Sequence, residues 1–178
     1  MKRRLTLALA ALATALLTAC ASAPAPADYA TEKPALDLAT YFNGDLVAHG
    51  LFTDRSGKVA RRFTVAMKGT WTGNDGVLDE HFTYSDGKKE RRIWRLKKLP
   101  DGRYTGQADD VLGTAQGQVA GNALQWKYTL RLPVDDKVYE VQFDDWMYLM
   151  DERVMLNKAQ MSKFGIHLGE VTLSFYKK

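Results

Sequence analysis

Residues 123–132 read "ALQWKYTLRL", and their regular alternation decides the fold class. In an extended chain successive side chains point to opposite faces, so residues two apart share a face. One face of this segment carries only apolar side chains, namely Leu124, Trp126, Tyr128, Leu130 and Leu132. A period of two over this length predicts a β-strand with one face in the protein interior.

Turn sequences recur on both sides of this strand and divide the chain into short segments. They include "TDRSGK", "GNDG", "SDGK", "LPDGR", "PVDDK" and "MDER". The segments between them are rich in Val, Phe, Tyr, Trp and Thr, at the spacing typical of sandwiches and barrels. We predict an all-β domain, an antiparallel up-and-down β-barrel of about nine or ten strands, because closure removes exposed sheet edges. Residues 36–42 are predicted to add a short N-terminal helix.

The turn "GNDG" predicts how the two strands beside it pair. With Asn74 and Asp75 as a two-residue hairpin loop, Trp71 lies opposite Leu78. The apolar residues of both strands then share one face of the sheet, which supports this pairing.

The turn "SDGK" predicts charged side chains on the same interior face. With Asp86 and Gly87 as a two-residue loop, that face carries four charged residues: Arg61, Glu80, Arg91 and Arg95. Charges on the core side of a sheet cost several kcal/mol unless they are paired or hydrated. This face therefore either lines a hydrated cavity or has a different register.

Residues 141–165, "VQFDDWMYLMDERVMLNKAQMSKFG", predict a hairpin with a structural ion pair. Asp145 shares a face with apolar residues, and Asp144 lies on the opposite face. A tight turn near residues 151–152 places Lys158 opposite Asp145, and a slip of one residue places it opposite Asp144. We expect the ion pair in either register. A helix over residues 154–163 is the alternative that the composition permits.

The N-terminus, "MKRRLTLALAALATALLTAC", predicts a lipoprotein signal peptide over residues 1–19. A basic start is followed by an apolar run over residues 5–17, which is too short to span a bilayer as a helix. The run ends in "LTAC", which resembles the lipobox of bacterial lipoproteins, where the cysteine is lipidated. We therefore predict lipidation of Cys20, and Ala21 after it favours an outer-membrane anchor facing the periplasm. An ordinary secretory signal with an incidental Cys20 is the alternative.

Removal of this segment changes the charge of the chain. Residues 20–35 are predicted to form the lipidated cysteine and an Ala/Pro tether, and residues 36–178 a single β-barrel domain. The formal net charge of +4 includes Lys2, Arg3 and Arg4, so the mature side chains carry about +1. No nucleic-acid partner is expected from this charge, and the predicted partner is the membrane, through the lipid anchor.

No catalytic or metal-binding motif stands out. His49, His81 and His167 lie far apart, Cys20 is the only cysteine, and adjacent acids on a strand point to opposite faces. No nucleophile elbow, phosphate-binding loop or dinucleotide fingerprint is found in the sequence. The sequence predicts no metal, no cofactor and no enzymatic activity. The basic run "KKERRIWRLKK", residues 88–98, fits either contact with lipid phosphates or a solvated strand beside acids.

A set of longer motifs resembles one family. The segments are "YFNG", "GLFTDRSGKVARRFTV", "DEHFTYSDG", "RRIWRL", "DGRYTGQADDVLGTAQGQVAGNALQWKYTL" and "FDDWMYLMDERVMLNKAQMSKFG". Together they are similar to an uncharacterised family of bacterial lipoproteins, domain of unknown function 3833. The resemblance implies a calycin or lipocalin-like barrel and no established catalytic residues. Members are often encoded near fatty-acid-modifying enzymes, which favours a lipid-related role by association.

These observations favour a non-enzymatic binding or carrier protein for a fatty acid or another small amphipathic ligand. In this hypothesis Arg91 and Arg95 hold an anionic head group, and Glu80 and Arg61 complete the site. An alternative is an envelope accessory protein with a solid core and an exposed apolar patch near Trp146, which binds other proteins or supports the outer membrane. A third is an isomerase- or hydrolase-like enzyme that uses His81 or the region of Asp144 and Asp145.

Overall fold

Ten antiparallel strands close into a barrel in the computed structural model, which describes residues 23–134 and 136–178. Each strand pairs with its neighbours in sequence, and the last strand pairs with the first. The predicted up-and-down barrel is therefore confirmed, whereas Cys20 and the signal peptide lie outside the described residues. The strands are β1 (Gly44–Asp54), β2 (Val59–Thr72), β3 (Asp75–Tyr84), β4 (Lys89–Lys98), β5 (Tyr104–Gln107), β6 (Val111–Ala120), β7 (Ala123–Val134), β8 (Lys137–Leu149), β9 (Val154–Lys163) and β10 (Ile166–Lys177).

A one-turn helix, α1 (Leu38–Tyr41), closes one end of the barrel, within the range predicted for a helix. Asp37 caps it, because its Oδ1 accepts a hydrogen bond from the Thr40 backbone N–H at 2.8 Å. Lys98 and Tyr104 donate to the other carboxylate oxygen and tie the cap to β4 and β5. Burial opposes the ionisation of Asp37, but these hydrogen bonds outweigh it and lower its pKa to about 2.

The segment before α1 packs on the outside of the barrel. A 3₁₀ helix (Pro26–Tyr29) places the Tyr29 ring 5.6 Å from the ring of Trp146 and 5.4 Å from that of Tyr148. The Leu36 N–H then donates to the carbonyl of Gly121 at 2.8 Å. Much of the predicted Ala/Pro tether therefore lies against the barrel wall instead of extending away from it.

The strand faces predicted from alternation are confirmed in β7 and β8. In β7, Leu124, Trp126 and Leu130 are buried, and in β8 Val141 and Asp145 face the interior with them. Residues 154–163 form β9, so the helix alternative for this segment is wrong.

The hairpin between β2 and β3 has the predicted faces but not the predicted partners. Trp71 lies opposite Gly76, because the loop consists of Gly73 and Asn74 and starts one residue earlier than predicted. Gly73 has a φ of 58°, which suits glycine at the first position of a type II′ turn. The shift moves every pairing by two residues and leaves each side chain on its predicted face.

The loop between β3 and β4 is one residue longer than predicted. The register of β4 therefore shifts by one residue, and the side chains predicted to face the interior face outward. The loop holds three residues, Ser85–Gly87, and Tyr84 N–H donates to the Lys88 carbonyl at 2.9 Å. Gly87 takes a φ of 85° at the third loop position, as in a hairpin with a glycine bulge. Glu80 therefore pairs with Arg92 and not with Ile93.

The ion pair predicted between Lys158 and Asp145 or Asp144 is not formed. Lys158 lies opposite Trp146 on the outer face, and its Nζ is 3.3 Å from Glu170 Oε2. The prediction is wrong because the turn covers residues 150–153, which is longer than the tight turn assumed from the sequence.

Substitution of Gly69 with alanine is expected to destabilise the barrel strongly. A Cβ at this position would lie 1.6 Å from the carbonyl oxygen of Phe42, where the chain passes from α1 into β1. Because the clash is with a backbone atom, a side-chain rotation cannot remove it, and the chain at the closed end of the barrel would have to move. We expect this to lower the free energy of unfolding by about 3 kcal/mol. Urea denaturation measures the loss. The control is Thr70→Ala, at an exposed neighbour on the same strand, which should change the free energy of unfolding by less than about 1 kcal/mol. Equal stability of Gly69→Ala and the parent would contradict this packing.

Candidate ligand-binding cavity

The barrel encloses a cavity of about 710 Å³. This volume lies within the range typical of small-molecule sites, which are mostly apolar with a few polar groups. The sequence left open whether the interior is hollow, and the cavity answers that question. Its apolar wall includes Phe63, Met67, Leu78, Phe82, Trp94, Trp126, Leu130, Phe143, Met147, Met161, Val171 and Phe175.

The two ends of the cavity differ. Leu38 and Phe42, in and just after α1, form its floor. The opposite end is bordered by residues near the hairpin loops, including Ala60, Tyr84 and Pro133. The mouth therefore lies at the end remote from α1 and from the turn at residues 121–122, where Leu36 is bound.

An arginine and two acids from three segments form the first polar group in the wall. Arg92 on β4 donates from Nε and Nη2 to Asp110 at 2.8 and 2.7 Å, and its Nη1 is 3.9 Å from Glu80 Oε2. Arg92 is largely buried, and these acids raise its pKa against the effect of burial. Burial raises the pKa of Glu80 to about 7, although the charge of Arg92 opposes that shift.

A second polar group lies on β7, β8 and β9. Asn157 Nδ2 donates to Asp145 Oδ1 and to the backbone carbonyl of Trp146. Burial raises the pKa of Asp145 to about 7, the hydrogen bond from Asn157 opposes the shift, and the charge of Glu80 adds to it. Tyr128 is partly buried in the same wall, and burial together with the charge of Asp145 raises its pKa well above the usual range.

Two of the predicted ligand-binding residues face the interior. Glu80 is 8% exposed and lines the cavity. Arg61 lies at the mouth, where its guanidinium carbon is 3.7 Å from the centre of the Tyr84 ring and its Nη2 is 2.7 Å from Asp86 Oδ2. The predicted face of both residues is therefore confirmed.

The prediction that Arg91 and Arg95 face the interior is wrong. Arg91 borders the cavity, but its guanidinium binds Asp79 on the outer face at 2.7 and 2.8 Å. Arg95 is 3.6 Å from Asp109, and its side chain is 63% exposed. The arginine of β4 that faces the interior is Arg92, which the sequence reasoning missed. The sequence signal for the correct register was Gly87, the glycine at the third position of the loop. Gly57 and Gly102 stand at the same position of their hairpin loops and also have a positive φ.

The family model described as "Protein of unknown function (DUF3833)" matches residues 14–177. The chain belongs to this family. No protein with a curated description matches the sequence.

Two solved structures are similar to this DUF3833 protein. The crystal structure of Rv2717c from M. tuberculosis is 14% identical over 83% of this chain and 99% of that chain, with a TM-score of 0.57, which shows the fold alone. A de novo designed fluorescence-activating β-barrel is 15% identical over 80% of this chain and 99% of that chain, with a TM-score of 0.41.

The histidines of this DUF3833 protein lie away from the cavity. His81 is on the outer face of β3, with Nε2 3.3 Å from Asp79 Oδ1, and His49 and His167 are exposed. Within residues 23–134 and 136–178, no three His, Cys, Asp or Glu side chains are grouped to hold a metal ion. In the same ranges, no helix has the length and apolar character needed to cross a membrane.

The two interior acids are expected to make the barrel less stable as the pH rises from about 4.5 to 7. Glu80 and Asp145 have folded-state pKa values of about 7, above their ordinary values of 4.5 and 3.8. The folded state therefore holds more protons than the unfolded state, and the stabilisation present at low pH is lost as both acids ionise. Within this range each acid contributes at most about 1.4 kcal/mol per pH unit.

Urea denaturation between pH 4.5 and 8 measures this slope. Glu80→Gln should flatten it, whereas Asp79→Asn, the neighbouring acid on the outer face, should not. An unchanged slope in Glu80→Gln would contradict the raised pKa of Glu80.

Proposed function

We propose that this protein is a non-enzymatic binding or carrier protein for a small amphipathic ligand. The observation that carries the proposal is the hollow barrel, with its apolar and aromatic walls, one mouth and a polar cluster in the wall. An alkyl chain in such a cavity contributes about 0.8 kcal/mol for each buried methylene group. A fatty acid is one candidate, although Arg91 and Arg95 are not placed to bind its carboxylate.

Exposed apolar side chains at the mouth end support this function. Phe164, Val138 and Ile166 are 88%, 65% and 60% exposed, and they lie at or beside the hairpin tips of neighbouring strands. Lys163 Nζ is 4.6 Å from the centre of the Tyr139 ring, so a basic group lies among them. An apolar rim with a cation beside it suits the passage of an amphipathic molecule into the cavity.

The accessory-protein alternative receives less support from the structure. It required a solid interior and an exposed apolar patch near Trp146. Trp146 is only 8% exposed because Tyr29 covers it, and the exposed apolar residues lie at the mouth end instead.

The proposal includes attachment to the outer membrane, on its periplasmic side, through a lipid on Cys20. Residues 20–26 span at most about 20 Å, so the anchor would lie within that distance of the packed segment that begins near Pro26. The closed end would then face the anchoring membrane, and the mouth would open toward the periplasm.

Metabolic labelling with an alkynyl palmitate tests the anchor. The protein should incorporate the label and partition with membranes, because acyl chains bury many methylene groups in the bilayer. Cys20→Ser should lose the label, since Cys20 is the only cysteine. Labelling that persists in Cys20→Ser would contradict the proposed anchor.

Native mass spectrometry of the full-length protein, purified from a Gram-negative host, tests the carrier function. We expect an adduct of one amphipathic molecule for each chain. Val171→Trp, which places a large ring in the cavity, should remove the adduct, and Thr172→Trp on the exposed face should retain it. No adduct in the parent, or equal adducts in both variants, would contradict binding inside the barrel.

A further inference from the structure

We propose that the polar cluster in the cavity wall binds a protonated amine as the head group of the ligand, in preference to a carboxylate. The cluster consists of Glu80, Arg92, Asp110, Asp145 and Asn157. This inference rests on the proposed binding function and identifies the chemical class of the ligand.

The cluster contains a buried hydrogen-bond acceptor that no donor in the described part of the chain reaches. Asn157 is 2% exposed and lines the cavity, yet its Oδ1 has no hydrogen-bond partner. Glu80 is 8% exposed, Arg92 Nη1 lies 3.9 Å from its Oε2, beyond hydrogen-bond distance, and the side chain of Trp94 is the donor beside it. A buried acceptor without a donor is costly, so a ligand that brings N–H donors complements this wall.

The one cation of the cluster, Arg92, is already paired with an acid of the protein. Asp110 accepts three hydrogen bonds from Arg92, at 2.7, 2.8 and 3.1 Å. A carboxylate head group at Arg92 would lie beside Asp110, and the two negative charges would repel each other and compete for one guanidinium.

The charge balance of the cluster also favours a cation. Within the cluster, three carboxyl groups, on Glu80, Asp110 and Asp145, accompany one guanidinium, on Arg92. The other basic residues that border the cavity lie at its mouth or on the outer face, namely Arg61, Lys88, Arg91 and Arg131. Glu80 and Asp145 lie close enough for their charges to interact. A ligand carboxylate would add another negative charge beside these acids, whereas an ammonium group would pair with them and favour their ionised forms.

The aromatic residues beside the cluster are compatible with a cation. The Tyr128 ring is 4.8 Å from the ring of Phe143 and 5.5 Å from that of Trp94, and all three line the cavity. Ring faces attract an ammonium group, most strongly where water is excluded.

Binding of three ligands with twelve carbon atoms each to the full-length protein tests the inference. Dodecylamine, dodecanol and dodecanoate differ in the head group, and each is used below its solubility limit and any micelle concentration. We expect dodecylamine to bind about tenfold more tightly than dodecanol, and dodecanoate more weakly than dodecanol. Calorimetric titration measures the three dissociation constants.

Matched pairs of variants locate the head group. Glu80→Gln and Asp145→Asn should each weaken dodecylamine binding about tenfold and change dodecanol binding by less than about twofold. Asp79→Asn and Asp144→Asn, the neighbouring acids on the outer faces, should leave both ligands unaffected. Retained dodecanol binding shows that each variant barrel is intact.

The outcomes separate the two proposals. Dodecanoate binding as tight as dodecylamine, or no loss in the Glu80→Gln and Asp145→Asn variants, overturns the amine inference and leaves the binding function standing. If none of the three ligands binds to the unsubstituted protein, both proposals are overturned.

Discussion

The three-residue loop Ser85–Gly87 sets the register on which the character of the cavity depends. Gly87 closes the loop at a φ of 85°, so β4 pairs with β3 one residue away from the two-residue alternative. Because side chains alternate along a strand, this shift of one residue in register places Arg92 and Trp94 inside the barrel and Arg91 outside. The arginine of the polar cluster therefore faces inward because of one backbone conformation in a solvent-exposed turn.

The interior combines open space with ionisable groups, a combination that is costly for stability alone. The cavity of about 710 Å³ forgoes packing contacts, and Glu80 and Asp145 are buried beside Asn157, whose Oδ1 has no hydrogen-bond partner. Raised pKa values reduce this cost, because both acids are largely protonated below about pH 7. A barrel selected only for stability would fill the space with apolar side chains, so these features indicate a ligand site.

The sequence predicted the parts of the site that depend on local pattern. Alternation placed Glu80, Asp145 and the apolar face of β7 in the interior, and the structure agrees. The sequence did not predict that Arg92 faces the interior, because the segment "SDGK" is compatible with a two-residue loop and with a three-residue loop. It also did not predict the contact of Asn157 with Asp145, because the turn over residues 150–153 sets the register between β8 and β9.

By itself, the sequence determined that this chain forms an antiparallel barrel of about ten strands. The alternation of apolar residues and the glycine-containing turns are local patterns, so they can be recognised without knowledge of the tertiary structure. Only the tertiary structure decided which charges face inward, since a slip of one residue reverses a strand face. Only the tertiary structure decided that the barrel is hollow, since the empty volume is what remains after side chains from all ten strands have packed around one axis.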